Sequence, residues 1–132
     1  MYLMGLDIGT SNVKVLITDE RGNVIAESAE EYPIYSPIPG YAEQDPDLWW
    51  EATKNSIKAA LKSSKLDSSE ISALGLSGQM HGTVLIGRNM KPLRPAIIWS
   101  DKRSISQCYE FYKIVGREKA LKIVCNPIMP GF

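Results

Sequence analysis

Cysteine and histidine are scarce: the 132 residues hold two of the first and one of the second. A zinc site built mainly from those ligands is excluded, and no disulfide framework is needed. A charge surplus is missing too, with 15 Lys plus Arg against 15 Asp plus Glu. That balance argues against nucleic acid or an anionic membrane as a partner gripped by a broad basic surface. No apolar run approaches the roughly 20 residues needed to cross a bilayer. Repeats and low-complexity tracts are also absent.

What is present is 44% apolar content, enough to fill the core of one domain. The opening run, Met1 to Asp7, has no positive n-region and an acid inside its apolar stretch. It predicts a strand, not a signal peptide. Cys108 and Cys125 read as apolar fillers on helices, so a reducing cytoplasm is the expected compartment.

Tyr2–Ile8 predicts a strand, followed by a turn at Gly9–Asn12. Val13–Thr18 is almost continuously apolar, as in a strand buried on both faces, and Val24–Tyr32 follows after a second turn. Two tight connections in succession predict an antiparallel meander. Residues 33–44 carry three prolines and predict a loop. Asp45-Pro46 is a helix-start signal, a capping oxygen followed by proline at the first helical position. Trp50, Thr53, Ile57, Ala60 and Leu61 then recur at helical spacing to residue 64, with Trp50 read as core. A polar link leads to a fourth strand, Ile71–Leu76, and a fifth, Thr83–Ile86. Pro92–Trp99 reads as extended. Ile105, Cys108, Tyr112 and Val115 mark one helix face closed by Gly116, and Arg117–Cys125 reads as a short helix. The order predicts one α/β domain with a mixed sheet.

Three strings can carry chemistry. In Gly5-Leu6-Asp7-Ile8-Gly9-Thr10-Ser11 an acid stands at a strand end, where it is costly unless paired, hydrated or near a cation. Gly9 permits a sharp turn whose amides converge on an anion, with Thr10 and Ser11 adding hydroxyls. Asp7 beside a metal and those amides suits a nucleotide triphosphate. A hairpin turn with Asp7 bonding turn amides explains the same string. In Ser77-Gly78-Gln79-Met80-His81-Gly82, glycines flank a polar tip. Gln79 and His81 suit sugar hydroxyls and Met80 forms a soft wall, although a structural histidine in a plain turn fits as well. In Trp99-Ser100-Asp101-Lys102-Arg103, Asp101 reads either as a helix cap below a core Trp99 or as a ligand contact.

Together these strings resemble one family. Asp7–Lys14 (D-I-G-T-S-N-V-K) resembles the first phosphate loop of the actin, Hsp70 and sugar-kinase superfamily. Glu43–Trp50, Gly75–Gly82, Arg94–Arg103 and Asn126–Phe132 are similar to the FGGY carbohydrate kinases, and Q-M-H-G is similar to their xylulokinase members. Ser100 departs from the pattern, since many of those members carry Asn there.

The resemblance implies a ribonuclease-H-like α/β fold, a mixed sheet with a β-meander and flanking helices. Residues 1–132 would be the N-terminal portion of the first kinase domain, with the C-terminal domain, the general base and most of the adenine pocket beyond them. It also implies ATP and Mg²⁺ as cofactors and D-xylulose as phosphoryl acceptor. Another sugar, polyol or sugar acid, or a non-catalytic binding module, is the alternative. Asp7 would be the catalytic residue, a carboxylate assisting Mg²⁺–ATP, while Gly9, Thr10, Ser11 and Lys14 would face the phosphates. Gln79, Met80, His81 and Asp101 would line the sugar site. Expected partners are the small sugar and ATP, with no nucleic acid or membrane and with a homodimer as the oligomer.

Overall fold

The computed structural model describes residues 1–131. Phe132, which ends the Asn126–Phe132 string, lies outside them. Contacts gather into two compact units. The first is Met1–Pro33 with Asp45–Gln79, and the second is Ile34–Gln44 with the chain from Met80 onward.

The first unit is a four-stranded mixed sheet backed by a helix. Strands β1 (Tyr2–Ile8), β2 (Asn12–Asp19) and β3 (Val24–Glu31) form the antiparallel meander the sequence predicts. Later in the chain, β5 (Ile71–Gly78) pairs parallel to β1, giving the order β3-β2-β1-β5. Strand alternation turns Met4, Leu6, Val13, Val15 and Ile17 to one side, where they are buried. Helix α1 (Pro46–Ser64) covers that side through Ala52, Thr53, Ser56 and Ala60. These small residues, about one turn apart, let the helix lie close enough for the Ser28 hydroxyl to donate to the Ser56 carbonyl at 2.6 Å. Asp45 caps α1 by accepting from the Asp47 N–H, and Pro46 fills the first turn, as the sequence signals.

Two expectations fail here. Trp50 is 62% exposed, because the buried stripe runs through its neighbour Trp49, which packs against the core cluster. β2 is buried on one face only, with Lys14 and Leu16 exposed on the other.

The second unit is loop-rich. β4 (Glu43–Gln44), inside the proline-rich stretch predicted as loop, pairs antiparallel with β6 (Ala96–Ile97). Thr83–Ile86 is not a strand: single bridges join Thr83 to Ile97 and Ile86 to Pro92. Pro92 and Pro95 lack the N–H groups a ladder needs, so within the expected extended run Pro92–Trp99 the strand itself is confined to Ala96 and Ile97. Helices α2 (Ile105–Val115) and α3 (Arg117–Val124) follow, with Gly116 closing α2 as predicted. No residue of α2 is buried, and Cys125 is an exposed left-handed cap rather than an apolar filler. Gly131 packs so tightly that a Cβ there would collide with the Trp99 carbonyl oxygen.

Candidate functional site

The parallel pairing of β1 and β5 brings two of the sequence strings to one end of the sheet. Asp7 lies beside Ser77 and Ile8 beside Gly78, so the Gly9 turn and the Gln79 tip leave neighbouring strands together. The Gln79 N–H donates to the Ile8 carbonyl at 2.8 Å. A Cβ at Gly78 would stand 3.1 Å from that same oxygen, so the close approach favours glycine.

On the other flank of β1, Lys14 of β2 is the register partner of Asp7. Asp7, Lys14 and Ser77 line a concavity of about 930 Å³, together with Gly5, Gly75 and Glu27. Gly5 and Gly75 are themselves register partners, so the lining carries no side chain at those two adjacent positions. Asp7 is exposed, not buried as its strand-end position suggests, so it stays hydrated. Among the described residues no group of three or more His, Cys, Asp or Glu could cage a metal.

The turn itself is braced. The Gly9 N–H donates to the Asn12 carbonyl at 3.0 Å. The buried Tyr32 hydroxyl donates to the Gly9 carbonyl, and the Tyr32 N–H donates to the Ser11 carbonyl. Burial first, and the Asp7 carboxylate second, push the Tyr32 phenol up to about 12. Thr10 is half-buried and Ser11 exposed. Sequence reasoning missed Tyr32, whose only local signal is an aromatic directly after a strand.

The remaining candidates belong to the second unit. Met80 is exposed, and so is His81, whose φ of 62° is left-handed. Asp101 is 2% exposed and accepts from the Ala42 N–H, the Arg103 N–H and two guanidinium nitrogens of Arg103. Four bonds fill the acceptor capacity of a carboxylate. Burial alone would raise its pKa, but the bonds from Arg103 and Ala42 overcome that and bring it down to about 2. It does not cap α2, whose first cap residue, Ser104, makes no side-chain capping bond. Trp99, read as core, is 44% exposed.

Arg103 is the centre of this cluster. It also bonds Glu43 at 2.6 Å and stacks on Tyr41 at 3.9 Å, while Arg94 pairs with the same Glu43. Asp101, followed by Glu43, raises the Arg103 pKa against the effect of burial, so the cation is permanent. Tyr41, Glu43, Arg94 and Arg103 carried no local sequence signal of this role.

Comparison with known proteins gives a consistent result. A xylulose kinase of Staphylococcus epidermidis is 41% identical over 130 residues, 98% of this chain and 25% of that protein. The xylulose kinase of Escherichia coli is 40% identical over 132 residues, 100% of this chain and 26% of that protein. The crystal structure of a xyloylose kinase from Brucella ovis superposes with a TM-score of 0.91 at 37% identity, covering 100% of this chain and 27% of that one. The chain therefore spans about a quarter of the length of the relatives it matches. The mixed sheet and its flanking helix are those of the ribonuclease-H-like sugar kinases. A model of the N-terminal domain of the FGGY carbohydrate kinases matches residues 2–132, and the chain belongs to that family.

Proposed function

We propose that this chain is the N-terminal portion of the first domain of an ATP-dependent kinase. That kinase moves the γ-phosphoryl group of ATP to a hydroxyl of D-xylulose, giving D-xylulose 5-phosphate. The observation that carries the reading is the pair of glycine-bearing turns at one end of the parallel neighbours β1 and β5. Open α/β sheets bind ligands outside the carboxyl ends of their strands. The xylulose kinases among the relatives supply the choice of sugar.

In this reading Gly9, Thr10, Ser11 and Lys14 hold the phosphates through turn amides, hydroxyls and one ammonium. Asp7 holds Mg²⁺. A single exposed carboxylate fits a hard cation that keeps several waters and takes further ligands from phosphate oxygens. When bound, that ion neutralises charge on the phosphates. Gln79, Met80 and His81 contact the sugar, the amide and imidazole through hydroxyl hydrogen bonds and the thioether through its apolar wall. Asp101, with both oxygens committed, serves by fixing the loop at Ala42 and the guanidinium of Arg103. No helix among the described residues is long and apolar enough to cross a membrane. A reducing cytoplasm suits the free thiols of Cys108 and Cys125. Exposed Leu74 and Leu76 on β5 favour self-association of the isolated chain, a homodimer included, which light scattering checks.

A coupled ADP-release assay on the complete protein, across ketoses, polyols and sugar acids, tests the reading. Xylulose is expected to give the highest kcat/KM. A higher value for another acceptor overturns the sugar, and no sugar-dependent release at all overturns the kinase. Asp7→Asn should lower kcat by on the order of 10²-fold while leaving the xylulose KM near normal. The 132-residue chain alone should fold without turnover, because in-line transfer also needs a base and a nucleotide grip.

A further inference from the structure

Tyr32 follows β3 directly and is 7% exposed, yet nothing in the proposed chemistry uses it. Its hydroxyl donates to the Gly9 carbonyl at 2.5 Å. Its backbone N–H donates to the Ser11 carbonyl at 3.1 Å. One residue thus collects two carbonyl oxygens from the β1–β2 turn, one on either side of Thr10. Carbonyl oxygens carry the negative end of the peptide dipole, so an anion is repelled wherever they swing out and attracted where amides remain. We infer that Tyr32 is a positioning residue for the nucleotide polyphosphate, holding the Gly9 and Ser11 carbonyls away from the phosphates. This rests on the nucleotide reading of the Gly9–Ser11 turn proposed above.

The donor is well suited to the task. The phenol is buried and stays protonated, so it remains a donor and adds no negative charge beside the turn. A phenylalanine would fill the same space without this bond. The opposite flank of the turn is held independently by the Gln79 N–H on the Ile8 carbonyl, so losing the Tyr32 hydroxyl should loosen Gly9 and spare Gln79.

Tyr32→Phe in the complete protein tests this, with steady-state kinetics in both substrates and direct titration with MgATP. One neutral hydrogen bond corresponds to roughly a threefold to tenfold effect. The KM and the directly measured Kd for MgATP should rise by about that factor, with the xylulose KM unchanged. Equal rises in both KM values, a fall in kcat alone, or no change would make Tyr32 an ordinary core residue and overturn the inference. So would a variant that fails to fold. If the parent protein phosphorylates no sugar but binds MgATP, the kinase reading fails and the ratio of the two Kd values still judges Tyr32. If the parent binds no nucleotide, the inference falls with it.

Discussion

The two units of this chain are held together by different physics. The first buries Met4, Leu6, Val13, Val15, Ile17 and Ala26 of the sheet against Ala52 and Ala60 of α1, an apolar core of the ordinary kind. Among described residues the second buries far less: Ala42, Ala96, Ile98 and Ala120 are its buried apolar side chains. In their midst it buries Glu43 and Asp101, both held by Arg103. Apolar burial is non-directional and tolerates repacking, whereas a buried ion cluster depends on every partner being present. The unit bearing Met80 and His81 is thus the more brittle one.

The largest effect expected is the loss of the cluster's centre. Arg103→Met leaves two buried carboxylates without their main cation, and breaking such a pair by removing one partner costs about 3–5 kcal/mol. Amide protection in residues 34–44 and 80–131 should collapse while residues 1–33 and 45–79 keep theirs, as hydrogen exchange would show. Ile17→Ala is the converse, since Ile17 is fully buried beneath α1. It should cost about 2–5 kcal/mol and act on the meander. If Arg103→Met instead leaves protection of the second unit intact, the contrast between the units is broken.

The same contrast decides what the sequence discloses. β1 ends at Ile8 and α1 begins at Pro46, as the apolar run before the Gly9 turn and the Asp45-Pro46 cap indicate, because both signals are local. The parallel β1–β5 pairing needs a strand, a helix and a strand in order, which the apolar runs supply. Asp101, by contrast, meets Ala42 across 59 positions and Arg103 meets Glu43 across 60, separations no periodicity reports. The two-residue strands β4 and β6 are too short to show alternation at all. Trp49 and Trp50 are adjacent, so composition alone could not tell which one faces the core. The glycines and polar tips of the candidate site were legible as strings, but their common placement at one sheet end came from topology.

Titration sharpens the comparison, since the two units should fail at opposite ends of the pH scale. Asp101 is lowered from its ordinary 3.8 to about 2, so its stabilisation is complete above roughly pH 5 and lost as pH falls through the folded value. About 2 kcal/mol of stability in the second unit should vanish across that window, and Asp101→Asn should flatten the dependence. Tyr32 is raised from 10.0 to about 12, so the first unit keeps that contribution below pH 10 and loses it as pH rises through the folded value. Tyr32→Phe should remove this alkaline loss. Chemical denaturation at pH 2.5, 7 and 11, followed by hydrogen exchange in each unit, checks both signs. Acid loss centred in the meander would contradict the assignment.

The smallest effect concerns His81, where stability and binding should part. Among the described residues four non-glycine ones have left-handed φ: Lys65, His81, Met90 and Cys125. Lys65 and Cys125 are helix C-caps, a position that commonly takes this conformation, and Met90 closes the tight turn from Gly87. His81 at φ 62° ends no helix and sits between Met80 and Gly82 at the polar tip. A side chain held in that region is strained by about 1–2 kcal/mol, whereas glycine is not. The greater freedom of glycine in the unfolded chain offsets about 0.4–1 kcal/mol of the relief. His81→Gly should therefore stabilise the second unit by roughly 0.5–1 kcal/mol, read as a higher denaturation midpoint. In the complete protein the same change should raise the xylulose KM by about threefold to tenfold and leave MgATP binding unchanged. A stabilised variant with normal xylulose KM would reduce His81 to a strained turn residue, and a destabilised one would mean that its side-chain contacts outweigh the strain.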